Sequence, residues 1–191
     1  IYKYIYVLVL RNNYFVISTY IYLYIGEGMI RVTELLRWGN FVPEIPNVPG
    51  VQEALKRGTA VHESSLEIET NPEYVNQMPT TLQGYGEAVS KYHEKFQPVW
   101  LFREQRIDDE ELGITGCPDR YGKINGQLAV MDYKTGASQP WHKLQLALYA
   151  ILLGRQNHQT EMRFCVYLQK DGTFSVQRHT SNVDLVTGWS L

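Results

Sequence analysis

Asp132 and Lys134 close the apolar run Ala129-Val130-Met131 and stand two residues apart. Side chains in a strand alternate with period two, so both charged groups fall on one face. An exposed ion pair at a sheet edge, contributing about 0–1 kcal/mol, is one reading of that pair. A second carboxylate changes the weighing. Asp119 follows Gly116-Cys117-Pro118, and Asn125-Gly126 between the two segments is a strong two-residue hairpin signal. Pairing about that turn opposes residues whose numbers sum to 251, and 119 plus 132 is 251. Two carboxylates directly opposite on neighbouring strands repel each other. A cation between them removes the conflict, and a hard oxygen-rich donor set points to Mg2+ or Mn2+.

Four more residues have the types and places to join that centre. Glu104 lies in the preceding strand signal and is a third acidic ligand, a group that orients a metal-bound water, or a strand glutamate paired with Arg103 or Arg106. His62 shares a helix face with Ala54, Leu55 and Gly58, and is either a ligand or a satisfied core histidine. Gln145 and Tyr149 stand at i and i+4 on the next helix and so share a face. They either make a core hydrogen bond, or hold Lys134 or touch the substrate backbone. Arg57, Arg103, Arg106, Arg120, Lys123 and Lys143 are candidate phosphate contacts, and Trp141, with Trp100 beside it, is a candidate stacking platform for an unpaired base.

The elements that must position these residues read as follows. Val32 to Leu36 is helix-like, and Pro43, Pro46 and Pro49 mark a loop. Val51 to Glu69 has an apolar stripe at 3–4 spacing. Thr80 to Phe96 is a second long helix, stopped before Pro98. Strands are expected over Trp100–Ile107, Ile114–Ile124 and Gln127–Lys134. A helix over Trp141–Leu153 and a hairpin of Met162–Gln169 with Thr173–Arg178 follow. Ser181 is placed to cap a last helix, which the sequence barely begins by Leu191. The acidic run Asp108–Glu111 reads as a solvated loop. The order defines an α/β class with a central mixed sheet flanked by helices.

Composition bounds the rest. The 191 residues carry 18 Lys+Arg against 20 Asp+Glu, a net charge of -2, which excludes a globally basic binder but leaves room for a local basic groove. Two cysteines cannot supply a four-cysteine zinc or iron–sulfur site, and they suit a reducing compartment. Residues 1–28 stand apart. They hold seven of the 14 tyrosines, and they read as two strands, Ile1–Leu10 and Tyr14–Ile25, around Arg11-Asn12-Asn13. Both an added hairpin and translation from upstream of a start at Met29 fit this segment. A membrane span fits poorly, because its uncharged stretch is shorter than the ~20 residues a bilayer needs. Residues 29–191 are then one domain.

Taken together, Gly58-x-x-x-His62, Glu104, Pro118-Asp119, Asp132-Tyr133-Lys134 and Gln145-x-x-x-Tyr149 resemble the PD-(D/E)XK nuclease superfamily, and specifically its RecB-like exonuclease branch. The resemblance spans about Val51 to Gln177. It implies a restriction-endonuclease-like core in α-β-β-β-α-β order and a Mg2+- or Mn2+-dependent DNA exonuclease. His62, Asp119, Asp132 and the Tyr133 carbonyl would be metal ligands, Lys134 would act on the attacking water, and Glu104, Gln145 and Tyr149 would assist. It further implies single-stranded or duplex DNA ends as substrate and a phage-type stand-alone enzyme of DNA recombination, repair or degradation. The setting would be the bacterial or phage-infected cytoplasm, with a recombination-protein partner and homo-oligomers as further expectations. A structure-specific endonuclease and a non-catalytic nucleic-acid-binding or assembly domain remain the alternatives.

Overall fold

The computed structural model describes residues 2–11, 14–24, 29–43, 46, 48–182 and 184, the first two segments as backbone only. In chain order the elements are β1 (Tyr2–Arg11), β2 (Tyr14–Tyr24), β3 (Ile30–Arg31), α1 (Val32–Trp38) and α2 (Pro49–Thr70). A 3-10 turn (Pro72–Gln77) leads to α3 (Thr80–Phe96), β4 (Val99–Arg103), β5 (Ile107–Asp109), β6 (Ile114–Gly116) and β7 (Arg120–Ile124). Then come β8 (Gln127–Lys134), α4 (His142–Arg155), β9 (Met162–Leu168) and β10 (Phe174–Arg178). The expected cap at Ser181 introduces residues that lie mostly outside those described.

The central sheet is mixed, in the order β10-β9-β8-β7-β4, with β8 and β9 parallel and the other neighbours antiparallel. Helices cover both faces. On one, α1 and α4 pack through Leu35, Leu36, Leu146 and Leu153 against Tyr121 and Val130. On the other, α2 and α3 pack through Val61, Ile68, Val89 and Tyr92 against Ala129, Met131 and Tyr133. The alternation along β8 thus sends Val130 toward α4 and Tyr133 toward α2 and α3. A small sheet, β3-β6-β5, flanks this core, and β1 pairs with β2 separately. No helix among the described residues is long and apolar enough to cross a membrane.

Three expectations are corrected. The strand expected over Ile114–Ile124 breaks into β6 and β7, which join different sheets. Pro118, which has no N–H for a ladder, lies in the break. The strand expected over Trp100–Ile107 likewise splits at Glu104, whose φ is 47°. On α2 the buried face is Val61, Ser65 and Ile68, while Leu55 is exposed, because the first half of the helix walls an open groove.

A bulge in β4 near Leu101 brings its backbone onto β7. A Cβ at Gly122 would lie 2.2 Å from the Val99 carbonyl oxygen and 2.7 Å from Trp100 Cα. All three nearest atoms are β4 backbone, so no flexible side chain is there to give way. Gly122→Ala is expected to lose about 1–3 kcal/mol in urea unfolding at unchanged m. Wild-type stability in that variant would show that β4 moves aside freely.

Candidate metal and nucleic-acid site

The Asn125-Gly126 turn adopts positive φ at both residues (50° and 81°), as a type I′ hairpin requires. Its register runs Ile124↔Gln127 to Arg120↔Met131, every pair summing to 251. Continued by one residue, it sets Asp119 against Asp132, and both are buried, at 7% and 2% exposure. Asp119 is held from two sides. Its Oδ1 lies 3.0 Å from His62 Nδ1 on α2, and its Oδ2 accepts the Tyr133 N–H at 2.6 Å. Lys134 donates to Asp132 Oδ2 and, at 2.9 Å, to Gln145 Oε1. Gln145 Nε2 in turn donates to the Tyr149 hydroxyl at 3.0 Å. A Cβ at Gly116 would lie 2.9 Å from both Leu152 and Tyr149, so glycine there lets α4 close on β6.

Electrostatics follow from that crowding. Burial works against the His62 imidazolium, but the Asp119 carboxylate outweighs it and lifts the ring to about 9. Burial likewise opposes ionisation of Asp119, and His62 wins, holding the carboxyl below its usual range. For Asp132, burial and the facing Asp119 push the carboxyl up while Lys134 pulls it back. Burial disfavours the Lys134 charge, and Asp132 more than restores it. Lys134, the His62 ring and the Tyr133 N–H together favour the charged form of this pair of acids.

Glu104 completes the ring of acids. Its backbone N–H donates to the Asp119 carbonyl at 2.9 Å, and the left-handed turn at Glu104 directs its side chain to the groove. Glu104 Oε1 is buried and has no hydrogen-bond partner. Neither Arg103 nor Arg106 pairs with it. Arg103 reaches Glu69, and Arg106 reaches Asp108 and Thr115. Burial and Asp119 raise the Glu104 carboxyl.

These groups line a groove of ≈ 800 Å³ together with Arg57, Cys117, Thr135 and His142. Arg57 donates to the Thr135 carbonyl at 3.4 Å and lies over the Tyr85 ring. Trp141 is half-buried, with Lys134 Nζ 5.7 Å from its ring centroid. Arg106 lines a second cavity of ≈ 280 Å³, joined to the groove at Cys117. Lys123 is exposed further along β7, and Lys143 pairs with Asp184 at 3.1 Å. Arg120 corrects the sequence reading outright. It is 0% exposed and faces α2, so it meets no phosphate. Trp100, 7% exposed, is also no stacking platform. Asp109, read as solvated, is 8% exposed and paired with Arg155 of α4.

Sequence reasoning missed Glu69, Ser65, His93 and His142. Glu69 takes Arg120, Arg103 and His93 at once. His142 Nδ1 lies 2.9 Å from the Tyr167 hydroxyl, and burial with the nearby Lys134 charge drives its ring down to about 3. Ser65 and Glu69 follow His62 at i+3 and i+7, a helical face that periodicity does mark. Nothing local announces their distant partners.

A hard cation suits this donor set. The set offers an imidazole and three carboxylates, of which His62, Asp119 and Glu104 line the groove and Asp132 lies buried beside them. Among the described residues no three such side chains form a preformed metal cage. Lys134 and His62 instead occupy the carboxylates' lone pairs. The fold is a mixed sheet flanked by helices on both faces, with this cluster at one end of the β7–β8 pair. Residues 50–184 match the model of the PD-(D/E)XK nuclease superfamily, and the chain belongs to that family. Among solved structures, the crystal structure of SSO0001 aligns at 18% identity over 86% of this chain and 74% of that one. Its TM-score is 0.39, a likeness too distant to carry an argument. No curated protein matches.

Proposed function

We propose that this protein is a divalent-metal-dependent DNA exonuclease. The observation that carries the reading is two buried acids at one end of the β7–β8 pair, Asp119 just before β7 and Asp132 near the end of β8, with Lys134 on Asp132 and a Glu104 oxygen without a hydrogen bond close by. Asp119, Asp132, His62, Glu104 and the Tyr133 carbonyl would hold Mg2+ or Mn2+. When bound, the ion lowers the pKa of a water and stabilises charge at the phosphate. Lys134, kept protonated by Asp132 and aimed by Gln145, donates to the attacking oxygen. Tyr149 fixes Gln145. Arg57 and Arg106 would draw the phosphate backbone along the groove. Residues 29–191 would form the nuclease domain, acting in recombination, repair or degradation of DNA. The exonuclease assignment within the family rests on the set of five motifs.

Labelled linear single- and double-stranded DNA and a covalently closed circle should be incubated with Mg2+, with Mn2+ and with chelator. Metal-dependent loss of the linear substrates with intact circles is the expected result. Nicked circles would convert the reading to an endonuclease. Salt-sensitive binding without turnover would make the fold a non-catalytic binder.

A further inference from the structure

Arg120 carries a full positive charge into the floor of the site. Its NH1 donates to the Asp119 carbonyl at 2.7 Å, the same oxygen that accepts the Glu104 N–H at 2.9 Å. That nitrogen stands 3.8 Å from Glu104 Oε1, close enough to attract it but beyond hydrogen-bond reach. Its NH2 donates to Ser65 Oγ at 2.7 Å, and Ser65 donates to the His62 carbonyl at 2.6 Å. One buried guanidinium therefore touches the backbone or neighbourhood of three acceptors meant for a metal. Its charge is met elsewhere. Nε donates to Glu69 Oε1 at 2.5 Å, and the Glu69 side chain is 2% exposed.

We infer that Glu69 is a positioning counter-ion, which binds Arg120 through Nε at 2.5 Å and so limits its hold on Glu104 to a loose 3.8 Å ion pair, leaving Oε1 without a hydrogen bond and able to face a divalent cation. This rests on the metal-binding reading above and adds a residue that touches neither metal nor substrate. Remove the Glu69 charge, and Arg120 has one carboxylate within reach, Glu104. The guanidinium would then stand where the cation needs an open oxygen. Glu69 is well placed to prevent this. It lies on the same face of α2 as His62, and its second oxygen binds Arg103 at 2.8 Å, the residue before Glu104. His93, 3.4 Å from Glu69, holds the Tyr133 hydroxyl at 3.0 Å and closes the network around β8.

The test is calorimetric titration of Mn2+ into metal-free protein, with melting temperature and metal activation curves recorded alongside. Glu69→Gln should weaken Mn2+ binding about 10- to 100-fold, a loss typical of residues behind a metal's ligands. Excess Mn2+ should return its maximal rate toward wild type. Glu69→Gln/Arg120→Met removes both charges and should bind Mn2+ within about threefold of wild type. A scaffold role predicts no such rescue. Should Glu69→Gln not fold, Arg120→Met and the double variant are compared directly. An affinity loss beyond about threefold between those two overturns the inference, as does equal binding by Glu69→Gln and wild type. Absence of Mn2+ binding by wild type overturns the metal reading itself, which is a separate and recognisable result.

Discussion

Asp132→Asn is expected to lower metal-dependent DNA cleavage at least ~10³-fold and to erase the thermal stabilisation that Mn2+ gives the wild type. The amide keeps the shape of the side chain, which is 2% exposed and set between Asp119 and Lys134. It removes the negative charge that makes the pair of acids a cation trap. Charge stabilisation by a bound ion is worth several kcal/mol, and about 4 kcal/mol corresponds to ~10³ in rate. The thermal readout is independent of turnover. At a hundred times its dissociation constant a ligand stabilises the folded state by about 2.7 kcal/mol. For a chain of this size that is a rise of roughly 5–10 °C in Tm. The variant should show less than about 2 °C. Scanning calorimetry with and without Mn2+ measures it, and a full shift in the variant would remove Asp132 from the metal site.

The parts of the molecule that local chemistry dictates were legible before any coordinates. Asn125-Gly126 is the decisive instance. Its positive-φ turn sets the register of β7 on β8, and that register, continued past Arg120↔Met131 and held by the Tyr133 N–H, carries Asp119 toward Asp132. The end of α3 follows from Pro98 after it, and the strand, helix and strand order after Gly126 follows from changes of apolar period. What long-range geometry decides was hidden. Arg120 follows an acid at a strand start and reads as surface, yet its charge partner Glu69 is 51 residues away. Glu69 and Ser65 look like the polar side of an amphipathic helix until the sheet is placed beneath them. Leu55 continues an apolar stripe by count but faces the groove, since α2 runs past the end of the core. The break at Glu104 was also illegible, because no glycine or asparagine announces a left-handed residue there.

That break sets up the second large effect. Glu104→Gly is expected to raise stability while reducing cleavage at least ~10²-fold. At φ 47° a residue with a Cβ pays about 1–2 kcal/mol relative to its ordinary conformations, whereas glycine does not. Glycine's greater freedom in the unfolded chain returns about 0.5–1 kcal/mol of that gain. The carboxylate adds a further cost in the metal-free fold. Its Oε1 is buried without a hydrogen bond, an arrangement worth about 1–3 kcal/mol against folding. The two contributions sum to a net gain of about 1 kcal/mol or more, or roughly 2–4 °C in Tm. Activity moves the other way, because the same oxygen, free of hydrogen bonds, is the one available to a cation. Glu104→Gln separates the causes. It keeps the left-handed backbone and loses only the charge, so it should be as inactive as Glu104→Gly but gain less stability. Thermal unfolding of the two variants without metal decides it. A glycine variant less stable than wild type would mean that Glu104 is held there by packing, and that the site stores no backbone strain.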